Sequence, residues 1–387
     1  MTAARLRPFG ASVFSTMTAL ATEHRAINLA QGFPDFDGPD ELLDAAAAAM
    51  GAGHNQYARS AGHPRLVQAV AGRVAHDYGL QYDPMTEVAV TAGATEGIAA
   101  AMLGLLEPGD EVVLFEPFYD SYPAAVAMAG GVVRPCTLRF PDFALDEAAL
   151  AACFTARTKA VLLNTPHNPT GKVFTPGELA AIARLAEAHD AFVVSDEVYE
   201  HLTYDGVAHV PIATLPGMRD RTLTLSSLGK TYSLTGWKTG WATGPAHLVA
   251  GLQAAHQFLT FCSATPFQQA AAVALDSLRD AFVAGLKAEY TERRDMLVGA
   301  LRDVGFDVAV PNGTYFVLAD YTRAWSGGDD HAFARHLTTT VGVACIPPSV
   351  FYADNVDEGR RLARFAFCKR VATLEGAAGR LKAGLGG

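Results

Sequence analysis

The sequence predicts an α/β chain built on a mostly parallel sheet, joined to a smaller α+β unit. Three observations carry this reading. Up to about residue 265, short apolar runs bounded by turn residues alternate with longer amphipathic stretches, the signature of βαβ units. Polar residues gather at the carboxyl ends of those runs. Beyond that point the pattern changes to long helices and then to short strands and helices.

Taken in order, Asp40 is expected to cap an alanine-rich helix ending near Gly51, and a second helix follows Pro64 and ends at Gly79. The apolar runs are Val88–Val90, Val112–Phe115, Val132–Leu138, Ala160–Leu163, Phe192–Val194 and Leu223–Leu225. Helices are expected between them at Thr95–Leu106, Ser121–Ala129 and Pro176–His189, the last opened by a capping box of Thr175 and Glu178. One or more long helices run to about Val304. Strands at Asp307–Val310 and Tyr315–Ala319, a helix at His331–Thr340, strands at Val343–Ile346 and Arg364–Cys368 and a final helix from Thr373 complete the chain. The first 35 or so residues have no clear partner in the first sheet and are expected to return to the C-terminal unit.

Composition narrows the function. The 387 residues suffice for two or three domains, and half are hydrophobic, which sets aside a disordered chain. A formal net charge of -10 argues against nucleic acid as a partner. No apolar run approaches the ~20 residues of a membrane helix, and no apolar stretch follows the basic start as in a signal peptide. Cysteines 136, 153, 262, 345 and 368 include no C-x-x-C pair, and the histidines form no H-E-x-x-H, so neither a metal site nor a disulfide framework is expected and a reducing cytoplasm is.

In an open parallel sheet, ligands bind beyond the carboxyl ends of the strands. Here those ends read Thr91-Ala-Gly-Ala-Thr-Glu96, Glu116-Pro-Phe-Tyr-Asp120, Asn164-Thr-Pro-His-Asn-Pro-Thr-Gly171, Ser195-Asp-Glu-Val-Tyr199 and Ser226-Ser-Leu-Gly-Lys230. One crevice thus receives an aromatic ring, an Asn, an Asp, a Tyr and a Lys. A lysine made neutral by burial can form an imine with a carbonyl compound. An aspartate can hold a pyridinium charge, an aromatic ring can stack on a flat heterocycle, and a helix start at Gly93-Ala94-Thr95 can take a phosphate. Together these requirements describe pyridoxal 5′-phosphate.

The chain resembles the class I aminotransferases of pyridoxal-phosphate fold type I over nearly its whole length. The strongest string is Ser227-Leu-Gly-Lys230-Thr-Tyr-Ser-Leu-Thr-Gly-Trp-Lys238, accompanied in order by Asn168-Pro-Thr-Gly171, Ser195-Asp-Glu-Val-Tyr199 and Arg364-Phe-Ala-Phe-Cys368. Within the family it is most similar to kynurenine, glutamine and methionine aminotransferases and to N-succinyldiaminopimelate aminotransferases, on Asn28-Leu-Ala-Gln-Gly-Phe-Pro-Asp35, Asn55-Gln-Tyr57, Gly313-Thr-Tyr-Phe316 and Ile346-Pro-Pro-Ser-Val-Phe351. The resemblance implies a seven-stranded, mostly parallel sheet between helices in a large domain of residues 36–275. Residues 1–35 and 276–387 would form the small domain.

It also implies roles. Lys230 would hold the cofactor as a Schiff base and then shuttle the substrate's α-proton. Asp196 would pair with the ring nitrogen, Asn168 and Tyr199 with the ring's phenolic oxygen, and Tyr119 would stack on the ring. The Ala94 and Thr95 amides, Ser227 and Lys238 would hold the phosphate. Tyr57 would reach the phosphate of a second subunit, which makes the expected assembly a homodimer with shared sites. Arg364, helped by Gly32 and Asn168, would clamp the α-carboxylate of an amino acid or 2-oxo acid substrate.

Each residue has a plainer reading. Lys230 could be a solvated lysine, Asn168-Pro-Thr-Gly171 an ordinary turn, Tyr57 a core aromatic and Arg364 a sheet-face arginine. Their company in one order favours chemistry. The expected activity is ping-pong transamination with methionine, glutamine or aromatic donors, because Phe14, Phe33, Tyr119, Phe261 and Phe351 suggest an apolar pocket. Succinyldiaminopimelate ranks second for want of an evident additional cation. A cysteine-conjugate β-lyase would use the same residues. A non-enzymatic regulator would want a DNA-binding segment for which the residues before Gln31 are too few, and hydride transfer would want an absent G-x-G-x-x-G.

Overall fold

Every apolar run read between Val88 and Leu225 is a strand of one sheet. In spatial order its seven strands are Val88–Thr91, Gly240–Thr243, Thr222–Ser227, Phe192–Asp196, Thr158–Asn164, Glu111–Glu116 and Val132–Thr137. Gly240–Thr243 runs antiparallel to both neighbours, and the remaining pairings are parallel. The structure, a computed structural model, describes residues 2–10 and 12–386.

The runs are continuous rather than alternating because both faces of the sheet are covered. Val112, Leu114, Ala160, Leu162 and Val194 enter one core with Ile98, Met102, Leu248 and Leu252. Their sheet neighbours Val113, Phe115, Val161, Leu163 and Val193 enter another with Leu150, Leu179 and Ile182. On the first face the helices Ala94–Leu105 and Ala246–Leu259 lie side by side. Gly104 permits their approach, since a Cβ there would collide with the Gly251 carbonyl oxygen. The capping box of Thr175 and Glu178 is formed, and Gly79 closes helix Pro64–Tyr78 in the left-handed conformation at φ 70°.

After Thr265–Val273 the chain passes through a π-helical turn, Ala274–Leu278, into the long helix Arg279–Asp303, which packs on the last helix, Val371–Leu385. Between them an antiparallel sheet orders Leu362–Ala366, Phe316–Asp320 and Asp307–Ala309. The N-terminal stretch finds its partner late in the chain, where Ile27–Asn28 pairs in parallel with Val343–Ala344.

Several expectations need correction. Asp40 is the first residue of helix Asp40–Gly51, and Pro39 precedes it without a side-chain cap; Asp40 instead places a negative charge in the first turn. Strand Gly240–Thr243 and helix Ala246–Leu259 were not among the apolar runs, because Gly-Trp-Ala-Thr is too short and mixed to stand out. Of Val343–Ile346 only Val343–Ala344 is strand, while Ile346 bridges to Arg364. Among the described residues no helix is long and apolar enough to cross a membrane.

Candidate active site

The strand ends converge on a cavity of about 330 Å³. It is lined by Gly32, Ala94, Thr95, Tyr119, Asn168, Asp196, Tyr199, Ser227, Lys230, Lys238 and Arg364, which is every expected site residue except Tyr57. Tyr57 is 81% exposed and packs edge-on against Phe261, 5.1 Å between ring centroids, away from this cavity. Phe14, Gln31, Phe33, Tyr122, Thr235 and Phe316 also reach it. Phe351 is buried behind Arg364 and Phe261 is exposed on the surface, so neither lines this chain's own pocket.

Lys230 follows strand Thr222–Ser227 in the short helix Leu228–Thr231. Burial lowers its amine to about 8, with Lys238 and Arg364 adding repulsion and Asp196 opposing it. A neutral amine, and so a nucleophile, is therefore accessible near physiological pH. Asp196 ends its strand fully inside the protein. Burial pushes its carboxyl up to about 6, against the pull of the Tyr122 hydroxyl and the Val198 amide. Its anion costs the fold free energy that a cationic partner in the cavity would return.

The turn after Thr158–Asn164 is anchored by its own last residue. Asn164 Nδ2 donates to the Asp196 carbonyl at 2.8 Å, and its Oδ1 accepts the Asn168 N–H at 2.7 Å. Asn168 and Asp196 are thus held as one unit. His167 is buried, its Nδ1 pairs with Thr170 Oγ1 at 2.7 Å, and burial drives its pKa down to about 3, so it is a neutral packing residue.

Arg364 is the informative residue. It is 1% exposed, and no carboxylate of the described residues pairs with it. Nη1 donates to Asn168 Oδ1 at 3.1 Å and Nη2 to the Ala30 carbonyl at 3.0 Å, while Nε has no partner. The guanidinium rests 4.2 Å from the Phe316 ring centroid, 5.1 Å from that of Phe14 and 5.3 Å from that of Phe351. Burial lowers its pKa to about 10, which still leaves it charged at neutral pH. A buried cation without a counter-ion is costly. A ligand carboxylate entering the cavity would relieve that cost.

Another part of the cavity has the same logic for a phosphate. Helix Ala94–Leu105 begins at Gly93 without a side-chain cap, so its first amides are free for a ligand. A Cβ on Gly93 would stand 3.2 Å from Lys238 Nζ. The positive end of a helix and an ammonium group thus face each other across a narrow gap, an arrangement an anion would stabilise. Gly240 makes room beneath this cup, since a Cβ there would lie 2.8 Å from the Ala94 nitrogen. A cation for a carboxylate, a cup for a phosphate, and an amine, an aspartate and an aromatic wall on the same cavity fit pyridoxal phosphate bearing an amino acid.

Tyr122 was missing from the residues singled out in the sequence. Its hydroxyl donates to Asp196 Oδ2 at 2.7 Å. Tyr315 stands within the Gly313-Thr-Tyr-Phe316 string and carries no role of its own there. It is fully buried, its hydroxyl donates to the Gly32 carbonyl at 2.6 Å, and its ring packs 5.2 Å from Tyr199. A Cβ on Gly32 would lie 2.6 Å from the Phe316 ring, so only glycine lets that loop reach the cavity.

Comparison with known proteins agrees with this geometry. Residues 24–381 match the family described as aminotransferase class I and II. A Mycobacterium tuberculosis protein described as a probable N-succinyldiaminopimelate aminotransferase is 49% identical, covering 98% of both chains. The kynurenine–oxoglutarate transaminase of Dictyostelium discoideum is 39% identical, over 95% of this chain and 92% of its own. The crystal structure of an Escherichia coli protein with a methionine aminotransferase function superposes with a TM-score of 0.94 at 42% identity, covering 99% of each chain.

Proposed function

The chain belongs to the class I and II aminotransferase family, and from that premise we propose that it moves the amino group of a methionine, glutamine or aromatic and kynurenine-type amino acid to a 2-oxo acid, with pyridoxal 5′-phosphate held at Lys230. The observation that carries the substrate half of this reading is the unpaired, buried Arg364 beside an otherwise apolar wall of Phe14, Phe33, Phe316 and Tyr119. One carboxylate is provided for. The remaining cations on the cavity, Lys230 and Lys238, are assigned to the cofactor, which leaves none for a second acidic group on the substrate.

When bound, the cofactor supplies an electron sink for negative charge at the substrate α-carbon. The chain's residues do the rest. Arg364 and Asn168 fix the α-carboxylate, which leaves the α-proton within the cavity that Lys230 lines. Lys230 would take that proton and later return it at the cofactor's C4′ position. It can do so because burial lowers its amine to about 8, and its neutral share grows as pH rises through that value. Asp196 would hold a positive charge on the ring nitrogen. Asn168 and Tyr199 would hydrogen-bond the ring's phenolic oxygen, Tyr119 would stack on the ring, and the Ala94 and Thr95 amides, Ser227 and Lys238 would hold the phosphate, all of them residues that line the cavity. Two half-reactions then alternate on one site.

We place the chain in a homodimer. Tyr57, Phe258 and Phe261 are exposed aromatic residues, which supports a partner there and lets Tyr57 serve the second subunit's phosphate. Residues 36–275 are taken as the large domain, with 1–35 and 276–387 as the small one. The unpaired cysteines suit a reducing cytoplasm.

The identity of 49% with the Mycobacterium tuberculosis relative favours N-succinyldiaminopimelate as a second reading. A panel of amino donors against several 2-oxo acids separates the two. Methionine, glutamine, phenylalanine and kynurenine are expected to exceed N-succinyldiaminopimelate in kcat/KM by at least about tenfold. Efficient turnover of the succinylated substrate alone, with glutamate as its partner, would overturn the ranking.

A further inference from the structure

Tyr122 has no part in the roles given so far. It lies in the first turn of helix Ser121–Met128 and is 3% exposed. Its hydroxyl donates to Asp196 Oδ2 at 2.7 Å, and the Val198 N–H reaches Oδ1 at 3.2 Å. Its ring meets Tyr119 edge-on at 5.6 Å, and both rings border the cavity. A buried tyrosine that only satisfies its own hydroxyl would serve as well with a backbone carbonyl. Here the acceptor is the one carboxylate that faces the cofactor's ring.

We propose that Tyr122 is a positioning residue for transamination: its hydroxyl orients the Asp196 carboxylate and holds it in the anionic form that a cationic ring nitrogen requires. The proposal rests on the reading of the cavity as a pyridoxal-phosphate site.

The chemistry follows from what each oxygen can do. A carboxylate oxygen accepts two hydrogen bonds, so one donor on each still leaves lone pairs for a ligand. The groups facing Asp196 are Tyr119 and Tyr122 from the helix and its approach, Glu197 and Tyr199 from its own turn, and Lys230 from the lysine turn. Among them Glu197 disfavours the anion and Lys230 favours it. Lys230's charge is committed elsewhere once the lysine carries the cofactor. The Tyr122 hydroxyl is a more dependable donor, because burial and the Asp196 charge push its own pKa well above 10. The approach to helix Ser121–Met128 and its first turn, which carry Tyr119 and Tyr122, would therefore set a ring on the cofactor's face and fix the counter-ion of its nitrogen.

Tyr122→Phe removes the hydroxyl and keeps the ring. Losing a hydrogen bond to a charged group is expected to raise the Asp196 pKa by about 1 to 2 units. The acid limb of kcat/KM should move up by that amount. With cofactor labelled at the ring nitrogen, the ¹⁵N resonance should shift toward the neutral ring at a pH where the wild type remains protonated. In an Asp196→Asn background, Tyr122→Phe should change neither.

The cofactor-free chain gives a second readout. Its Asp196 binds a proton more tightly folded than unfolded, so stability falls as pH rises from the unfolded value near 4 to the folded value of about 6. In Tyr122→Phe that decline should continue about 1 to 2 pH units higher. A folded variant with an unshifted acid limb, ¹⁵N resonance and cofactor-free titration overturns the proposal. A chain that takes up no cofactor overturns the reading of the site instead, and the cofactor-free titration then still decides for or against Tyr122.

Discussion

Lys230→Ala is expected to abolish turnover, with a loss of about 10⁴-fold or more, while the fold and the affinity for phosphate persist. The size follows from the two functions proposed for Lys230, covalent retention of the cofactor and the proton transfer at the substrate α-carbon, being lost together. The fold should tolerate the change because the buried amine makes no salt bridge with any described residue, and burial already disfavours its charge. Addition of a small primary amine should restore part of the rate, since the cavity would then admit a replacement base. Near-wild-type transamination by Lys230→Ala would refute the assignment.

The second large effect falls on Arg364. Arg364→Met should lower kcat/KM by roughly 10²- to 10⁴-fold, the loss expected when a buried pair between guanidinium and carboxylate is removed, about 3–5 kcal/mol. Arg364→Lys keeps the charge but not the planar fork, and should lose about tenfold or more. The cofactor-free fold should behave oppositely. Arg364 holds a charge among Phe14, Phe316 and Phe351 with Nε unpaired, so methionine at that position should leave stability unchanged or raise it. A variant that loses activity only because it unfolds would contradict this, and thermal melting beside steady-state kinetics distinguishes the cases.

Much of the site is legible in the sequence because strand ends are legible. A strand buried on both faces leaves a continuous apolar run, and the first polar residues beyond it must face a crevice. Asp196, Asn168 and Lys230 all announce themselves this way, two residues after Val194 and five after Leu163 and Leu225. Gly240–Thr243 does not, because it is brief, mixed in character and antiparallel, so no helical crossover precedes it. Asp40 misled because an aspartate serves equally as a cap or as a first-turn acid, and only the backbone at Pro39 decides.

What stayed hidden depends on contacts between distant elements. Tyr122 reads as one more aromatic in an apolar helix, and nothing local says that its hydroxyl meets Asp196, 74 residues on. The bond from Tyr315 to the Gly32 carbonyl spans 283 residues. The state of Arg364 is likewise a property of the fold. Its neighbours arrive from Ala30, Asn168 and three aromatic rings, and only their arrangement shows that its Nε lacks an acceptor. Tyr57 stands outside the cavity of its own chain, so its expected place at a phosphate is not met within one chain.

The central claim is that Lys230 carries the cofactor. Incubation with pyridoxal 5′-phosphate, reduction with borohydride and peptide mapping test it directly. The expected result is one pyridoxyl group per chain, on the peptide containing Lys230, and none in Lys230→Ala. A label on any other lysine, or no label on a folded protein, would contradict the account.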